Sequence, residues 1–136
     1  MQIRPALVSE EAVVTTLWRT CGLAMPWNDI EAEFRLALGR SNSDILVALA
    51  DDRIVGSVMV GHEGHRGWLY YVATDPARRG QGVARQLIGE AEGWLKARGM
   101  PKVQLLVRAT NTAVMRYYEA LGYKSVPSAL MQKLLA

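Results

Sequence analysis

The stretch DPARRGQGVARQL, Asp75 to Leu87, decides how this chain is read. It stands between the apolar run LYYVAT, residues 69–74, and a long amphipathic segment. From Gly82 to Arg98 the residues Ala84, Leu87, Ile88, Ala91, Trp94 and Leu95 recur at spacings of three and four, which predicts a helix, and Gly99 with Pro101 supplies its stop. The stretch is therefore a glycine-rich turn that leaves a strand and enters a helix. Such a turn gathers several backbone N–H groups at the positive end of a helix dipole, with no Cβ atoms to obstruct a ligand. Phosphate oxygens are the matching partner, and Arg78 or Arg79 can add a charge-assisted contact.

Two well-known phosphate loops do not fit these residues. A dinucleotide fingerprint wants glycine at the third position of G-x-G-x-x-G, where this chain has Arg85, and no acidic ribose-binding residue follows a second parallel strand at the required distance. A nucleotide-hydrolysing loop needs Gly-Lys followed by Ser or Thr, and the chain has no such triplet.

Working outward, QIRPAL predicts a short edge strand, where Pro5 removes no needed ladder bond. Ser9 is the expected N-cap of a first helix carrying Val13, Val14, Leu17, Trp18 and Cys21, with Glu10 and Glu11 in its first turn and a stop near Gly22. Asn28 is the expected cap of a second helix with Ile30, Phe34, Leu36 and Leu38 on its apolar side and Gly39 at its end. The texture then changes to β-rich runs broken at Asp51, Asp52 and Arg53 and again at HEGHRG, residues 62–67, which predicts a three-stranded antiparallel meander. Those runs are apolar at nearly every position, so both sheet faces are expected to be covered. KVQLLV predicts a strand, Asn111 to Leu121 a helix, and SALMQKLL a final strand or strand-like tail. The predicted order is β, α, α, β, β, β, α, β, α, β.

The chain has 136 residues, half of them hydrophobic and 21% charged, which suits one globular domain over residues 1–136. No apolar run reaches the length of a membrane span, and MQIRPALVSEEAVV lacks the pattern of a signal peptide, so a cytoplasmic protein without a membrane partner is expected. With one cysteine, Cys21, and two histidines, neither an internal disulfide nor a metal site is expected. A net charge of +3, scattered except at Arg78 and Arg79, accommodates an anionic ligand but lacks the basic stripe of a nucleic-acid binder.

The motif Q/R-x-x-G-x-G/A, matched here by Arg79, Gly80, Gln81, Gly82, Val83 and Ala84 behind a strand ending VATDP, resembles the signature of the GNAT superfamily of acetyl-CoA-dependent N-acetyltransferases. A second motif points the same way: Asn111 opening a helix, Tyr118 seven residues on, then Leu-Gly-Tyr at 121–123. The segments RPALVSEEAVVTTLW, MPWND and GHEGHRG are similar to the small bacterial YpeA-type branch. The resemblance covers nearly the whole chain and implies a mixed α/β (α+β) GNAT fold, with a mixed, mostly antiparallel central sheet flanked by about four helices.

The resemblance also implies a chemistry: direct attack of a primary amine on the acetyl thioester in a ternary complex, with neither metal nor covalent enzyme intermediate. The amides of Arg79 through Ala84 would hold the coenzyme A pyrophosphate, Val72 would offer its backbone N–H to the developing oxyanion, and Thr74 would lie along the cofactor. Tyr118 would protonate the departing thiolate, with Tyr117 the weaker candidate, and Asn111 would cap its helix and touch the cofactor. A lysine-like amine of pKa about 10.4 costs about 4.6 kcal/mol to deprotonate at neutral pH, against about 1.4 kcal/mol for an α-amine near 8, so a base matters in the first case. Glu63, His62 and His65 are candidates for it, and they equally suit a solvated hairpin tip. Trp27 could line the acceptor pocket or pack as a lid, while Trp68, Tyr70 and Tyr71 are expected to stabilise the sheet. The acceptor is a small-molecule amine or a protein N-terminus, and the protein a monomer or homodimer. The alternative is a non-catalytic acyl-CoA-binding or sensing module that keeps the loop and lacks an acceptor site.

Overall fold

A computed structural model of the chain describes Met1–Ala136. Met1–Leu105 form one compact unit and Leu106–Ala136 a second. The first contains strand β1 (Gln2–Pro5), a 3-10 turn at Val8–Glu10, helices α1 (Glu11–Thr20) and α2 (Ile30–Ala37), and strands β2 (Ser43–Ala50), β3 (Arg53–His62) and β4 (Gly67–Thr74). A 3-10 turn at Pro76–Arg78, helix α3 (Val83–Ala97) and strand β5 (Val103–Gln104) complete it. The second unit contains helix α4 (Thr112–Ala120).

The sheet runs in sequence order, β1 to β5, antiparallel except for the parallel pairing of β4 with β5. Asp51 and Asp52 make the β2–β3 turn with φ of 51° and 61°, a left-handed pair whose twist matches a two-residue hairpin. The expectation that both sheet faces are covered holds. Ile45, Val47 and Ala73 on one face join Val14, Leu17 and Trp18 of α1 and Ile30 and Phe34 of α2 in one buried cluster. The opposite face carries α3, whose Val83, Leu87, Ile88, Ala91 and Leu95 are buried. Two glycines let that helix lie close: a Cβ at Gly56 would stand 2.6 Å from Val83 Cγ1, and one at Gly67 would stand 2.4 Å from Leu95 Cδ1.

Several local expectations need correction. Ser9 does not cap the first helix: it lies inside the 3-10 turn that precedes α1, and α1 starts without a side-chain cap. The Glu10 carboxylate accepts the Leu7 N–H at the start of that turn at 2.8 Å and is bonded twice to the Arg4 guanidinium. Asp29, not Asn28, caps α2 by accepting the Ala32 N–H at 3.0 Å. Leu36 is 73% exposed because Ile30 and Phe34 define the buried stripe of that short helix. KVQLLV forms a ladder only at Val103 and Gln104, opposite Gly67 and Trp68. SALMQKLL forms no strand, for it joins none of the sheet's four ladders, and a strand exists only where a neighbour takes its hydrogen bonds.

Candidate active site

Strand β4 is irregular where it matters. Met59 of β3 pairs with Tyr70 and Ser57 pairs with Ala73, so the single residue Val58 faces two residues, Tyr71 and Val72. This is a β-bulge, and Tyr71 takes a left-handed φ of 49° to make it. Its first consequence is a change of face. Alternation from Leu69 would send Tyr71 toward α3, yet its ring stacks on Trp18 of α1, centroids 4.0 Å apart. A second consequence is an open edge: β5 pairs with β4 no further than Trp68, leaving Leu69 to Thr74 without a ladder on that side.

The bulge is held by buried polar contacts. Trp18 Nε1–H donates to Ser57 Oγ at 2.9 Å, and Ser57 Oγ–H donates to the Tyr71 carbonyl at 3.3 Å. Tyr71 Oη–H donates to Glu33 Oε1 at 3.0 Å, and burial with that carboxylate beside it pushes the phenol up to about 12. Val72, expected as the oxyanion donor, is the second residue of the bulge, and Thr74 ends the strand, its carbonyl accepting the Cys21 thiol at 3.2 Å.

The loop beyond β4 is tied down at its start and open thereafter. Asp75 N–H donates to the Val55 carbonyl at 2.8 Å, and the Asp75 carboxylate caps the 3-10 turn through Ala77 N–H. Arg78 leans toward Asp51 at 3.6 Å, whereas Arg79 is exposed. Gly80 and Gly82 then adopt φ of 79° and 82°, a conformation that costs other residues about 1–2 kcal/mol, and the space where each Cβ would sit is empty. Gly82 precedes α3, the first helical bond running from Gln86 N–H to Gly82 O. No side chain caps this helix and no acidic residue stands in its first turn, although Asp29 caps α2 and Asn111 caps α4. The first amides of α3 lack intrahelical partners, so dipole and geometry favour an anion there. The chemistry of Arg79, Gly80, Gln81, Gly82, Val83 and Ala84 thus fits a pyrophosphate.

The second unit places Asn111 and Tyr118 about two turns apart along α4. Asn111 Oδ1 accepts the Val114 N–H at 3.3 Å, as expected of a cap. Tyr118 is 9% exposed, edge-on to Tyr117 and Tyr123, and burial, with Tyr117 adding to it, pushes its phenol up to about 12. Tyr117 is 41% exposed.

In the 62–67 turn, Glu63 Oε1 accepts the N–H groups of Arg66 and His65, which holds its carboxyl below the ordinary range and weakens it as a base. His62 Nδ1 accepts the Gly64 N–H at 3.0 Å. Trp27 is 75% exposed, while Trp68 and Tyr70 stack at 6.2 Å. Sequence reasoning missed Ser57, Glu33 and the bulge itself. Uniformly apolar β4 gives no alternation that a register change could break.

Comparison with known proteins gives this geometry its context. Residues 11–123 match the model of the acetyltransferase (GNAT) family. An acetyltransferase of Pectobacterium atrosepticum is 43% identical over 135 residues, 99% of this chain and 96% of that protein. A putative acetyltransferase from Agrobacterium tumefaciens superposes with a TM-score of 0.82 at 21% identity, over 98% of this chain and all of that one. The aminoglycoside N-acetyltransferase AAC(6')-Iy in complex with CoA has a TM-score of 0.83 at 19% identity, over 99% of this chain and 95% of that one. The mixed α/β fold is the one expected, and the chain belongs to the acetyltransferase (GNAT) family.

Proposed function

We propose that this acetyltransferase moves the acetyl group of acetyl-CoA to a primary amine by direct attack within a ternary complex. The observation that supports the reading is the uncapped N-terminus of α3 behind Gly80 and Gly82, a run of backbone amides of the kind that binds a diphosphate. The open edge of β4 adds to it, since unpaired strand amides and carbonyls can take up an extended chain that itself contains amides, as coenzyme A does.

The reaction balances simply. The amine nitrogen bonds to the thioester carbon, the C–S bond breaks, the nitrogen loses a proton to water or a base, and the sulfur leaves as thiolate and gains one. Val72 N–H serves the carbonyl oxygen as it takes on charge. Thr74 lies along the cofactor, and Asn111 touches it while capping α4. Tyr118 donates to the leaving sulfur. With its phenol pushed up to about 12, complete transfer to a thiolate of pKa about 8.5 is uphill by roughly 5 kcal/mol, so a donated hydrogen bond supplies most of the help during bond cleavage. The acceptor is a small-molecule amine or a protein N-terminus; the aminoglycoside N-acetyltransferase of the same fold favours the former. The place of work is the cytoplasm, and no helix is long and apolar enough to cross a membrane.

A thiol-release assay with acetyl-CoA and a panel of aminoglycosides, polyamines and peptides with free N-termini tests this. Amine-dependent release supports it. Tight acetyl-CoA binding with no release across the panel favours a binding or sensing module instead.

A further inference from the structure

We infer that Ser57 is a positioning residue for acetyl transfer, aiming the Val72 amide by holding the other end of its peptide group. The inference rests on the reading of Val72 as the oxyanion donor. The Tyr71 carbonyl and the Val72 N–H belong to one peptide plane, and no peptide in the chain is cis, so the two groups point in opposite directions. Ser57 Oγ–H on β3 fixes the carbonyl. The N–H is thereby directed away from β3, toward the edge of β4 that β5 leaves open beyond Trp68.

Three further observations favour a dedicated device over incidental packing. Ser57 is fully buried among apolar neighbours, where a hydroxyl persists only if its bonds are made. Its oxygen accepts from Trp18 Nε1–H at 2.9 Å while its proton goes to Tyr71, so indole, hydroxyl and peptide form one chain with a single direction. Bonds in such a chain polarise one another, and a carbonyl that accepts strongly makes the N–H of its own peptide a better donor. Tyr71 is also held at a φ of 49°, a conformation an aromatic residue adopts only under constraint, and the constraints are the Trp18 stack, the Ser57 bond and the bond to Glu33.

Ser57→Ala removes the hydroxyl and leaves the Trp18 stack and the Glu33 bond to hold Tyr71. Removing an oxyanion donor outright costs about a hundredfold or more in kcat, so mis-aiming one should cost about tenfold. The expected result is that fall in kcat, with coenzyme A affinity within twofold of wild type, because coenzyme A has no acyl carbonyl. Val14→Ala, a core truncation outside the chain of hydrogen bonds, controls for lost packing and should leave kcat within twofold. The spectroscopic reading uses acetonyl-CoA, a ketone analogue, labelled with 13C at its carbonyl: the bound carbonyl stretch should move to higher wavenumber in Ser57→Ala, reporting a weaker hydrogen bond. An unchanged kcat and an unshifted carbonyl overturn the inference. Should Ser57→Ala fail to fold, Trp18→Phe keeps an aromatic ring over Tyr71 and removes the Nε1–H donor together with part of the buried indole, a packing loss for which Val14→Ala again controls. A several-fold loss of kcat at constant coenzyme A affinity supports the inference, and no loss overturns it. Wild-type protein that neither binds acetyl-CoA nor releases thiol defeats the functional reading itself, which is distinct from active wild type beside equally active variants.

Discussion

The indole of Trp18 lies flat on the phenol ring of Tyr71, centroids 4.0 Å apart and planes 9° from parallel. That contact exists only because the bulge in β4 turns Tyr71 onto the α1 face. Trp18 also packs against Phe34 of α2 and is fully buried, so it joins both helices to the irregular strand. Trp18→Ala should cost about 3–5 kcal/mol in chemical denaturation. A cost below 1 kcal/mol would show that the ring does not anchor this layer.

Close packing of α3 predicts a pair of steric failures. Gly56→Ala places a methyl 3.1 Å from the Ala73 carbonyl as well as against Val83, and Gly67→Ala places one inside the Leu95 side chain. Each should destabilise by about 1–3 kcal/mol. Gly67→Ala should be the milder, because a leucine tip can rotate and a strand carbonyl cannot. Equal stability to wild type would mean that the helix stands further off.

The loop glycines separate backbone strain from ligand contact. Gly82 and Gly99 have φ of 82° and 78°, and both have open space at the Cβ position. Gly82→Val and Gly99→Val should therefore share a strain of at least about 1–2 kcal/mol. Only Gly82→Val should weaken acetyl-CoA binding, by at least tenfold, because only Gly82 belongs to the proposed pyrophosphate loop. Unchanged affinity in Gly82→Val would remove the loop from the site.

Tyr118→Phe should lower kcat with little effect on acetyl-CoA affinity, and equal rates would strip Tyr118 of its role. The same substitution has an alkaline signature. A phenol raised to about 12 in the folded chain, against about 10 unfolded, gives stability that is complete below pH 10 and lost as pH rises toward 12. Tyr118→Phe should flatten that decline in thermal unfolding between pH 9 and pH 11.

Acid should act at the other end of the chain. Bidentate contact with Arg4, together with the Leu7 N–H, holds the Glu10 carboxyl below its usual range. Its contribution is therefore present above about pH 4.3 and lost as pH falls through the lower folded value. Glu10→Gln should remove that part of the acid transition and leave behaviour above pH 6 parallel to wild type. An identical acid transition would show that the pair is only a surface contact.

Much of the fold could be read because its signals are local. Spacing of Leu87, Ile88, Ala91 and Leu95 gives α3, the Asp51–Asp52 pair gives a hairpin turn, and Gly80 with Gly82 gives a loop that no other residue would make so easily. The bulge could not be read, since GWLYYVAT is apolar at every position but its ends and so carries no phase. Ser57 and Trp18 are 39 residues apart, and nothing in either neighbourhood announces their bond. The overreach at SALMQKLL has a simple cause: its apolar residues satisfy a strand pattern, but pairing is decided by a partner edge, and Leu134 and Leu135 remain 88% and 95% exposed.

Coenzyme A binding by the Arg79 to Ala84 loop is tested most directly by calorimetric titration of the purified protein with acetyl-CoA, with coenzyme A and with ATP at one moderate salt concentration. Micromolar binding of both coenzyme A species, well above that of ATP, is the predicted result. Binding of none of the three, or of ATP alone, would contradict the assignment of the Arg79 to Ala84 loop to coenzyme A.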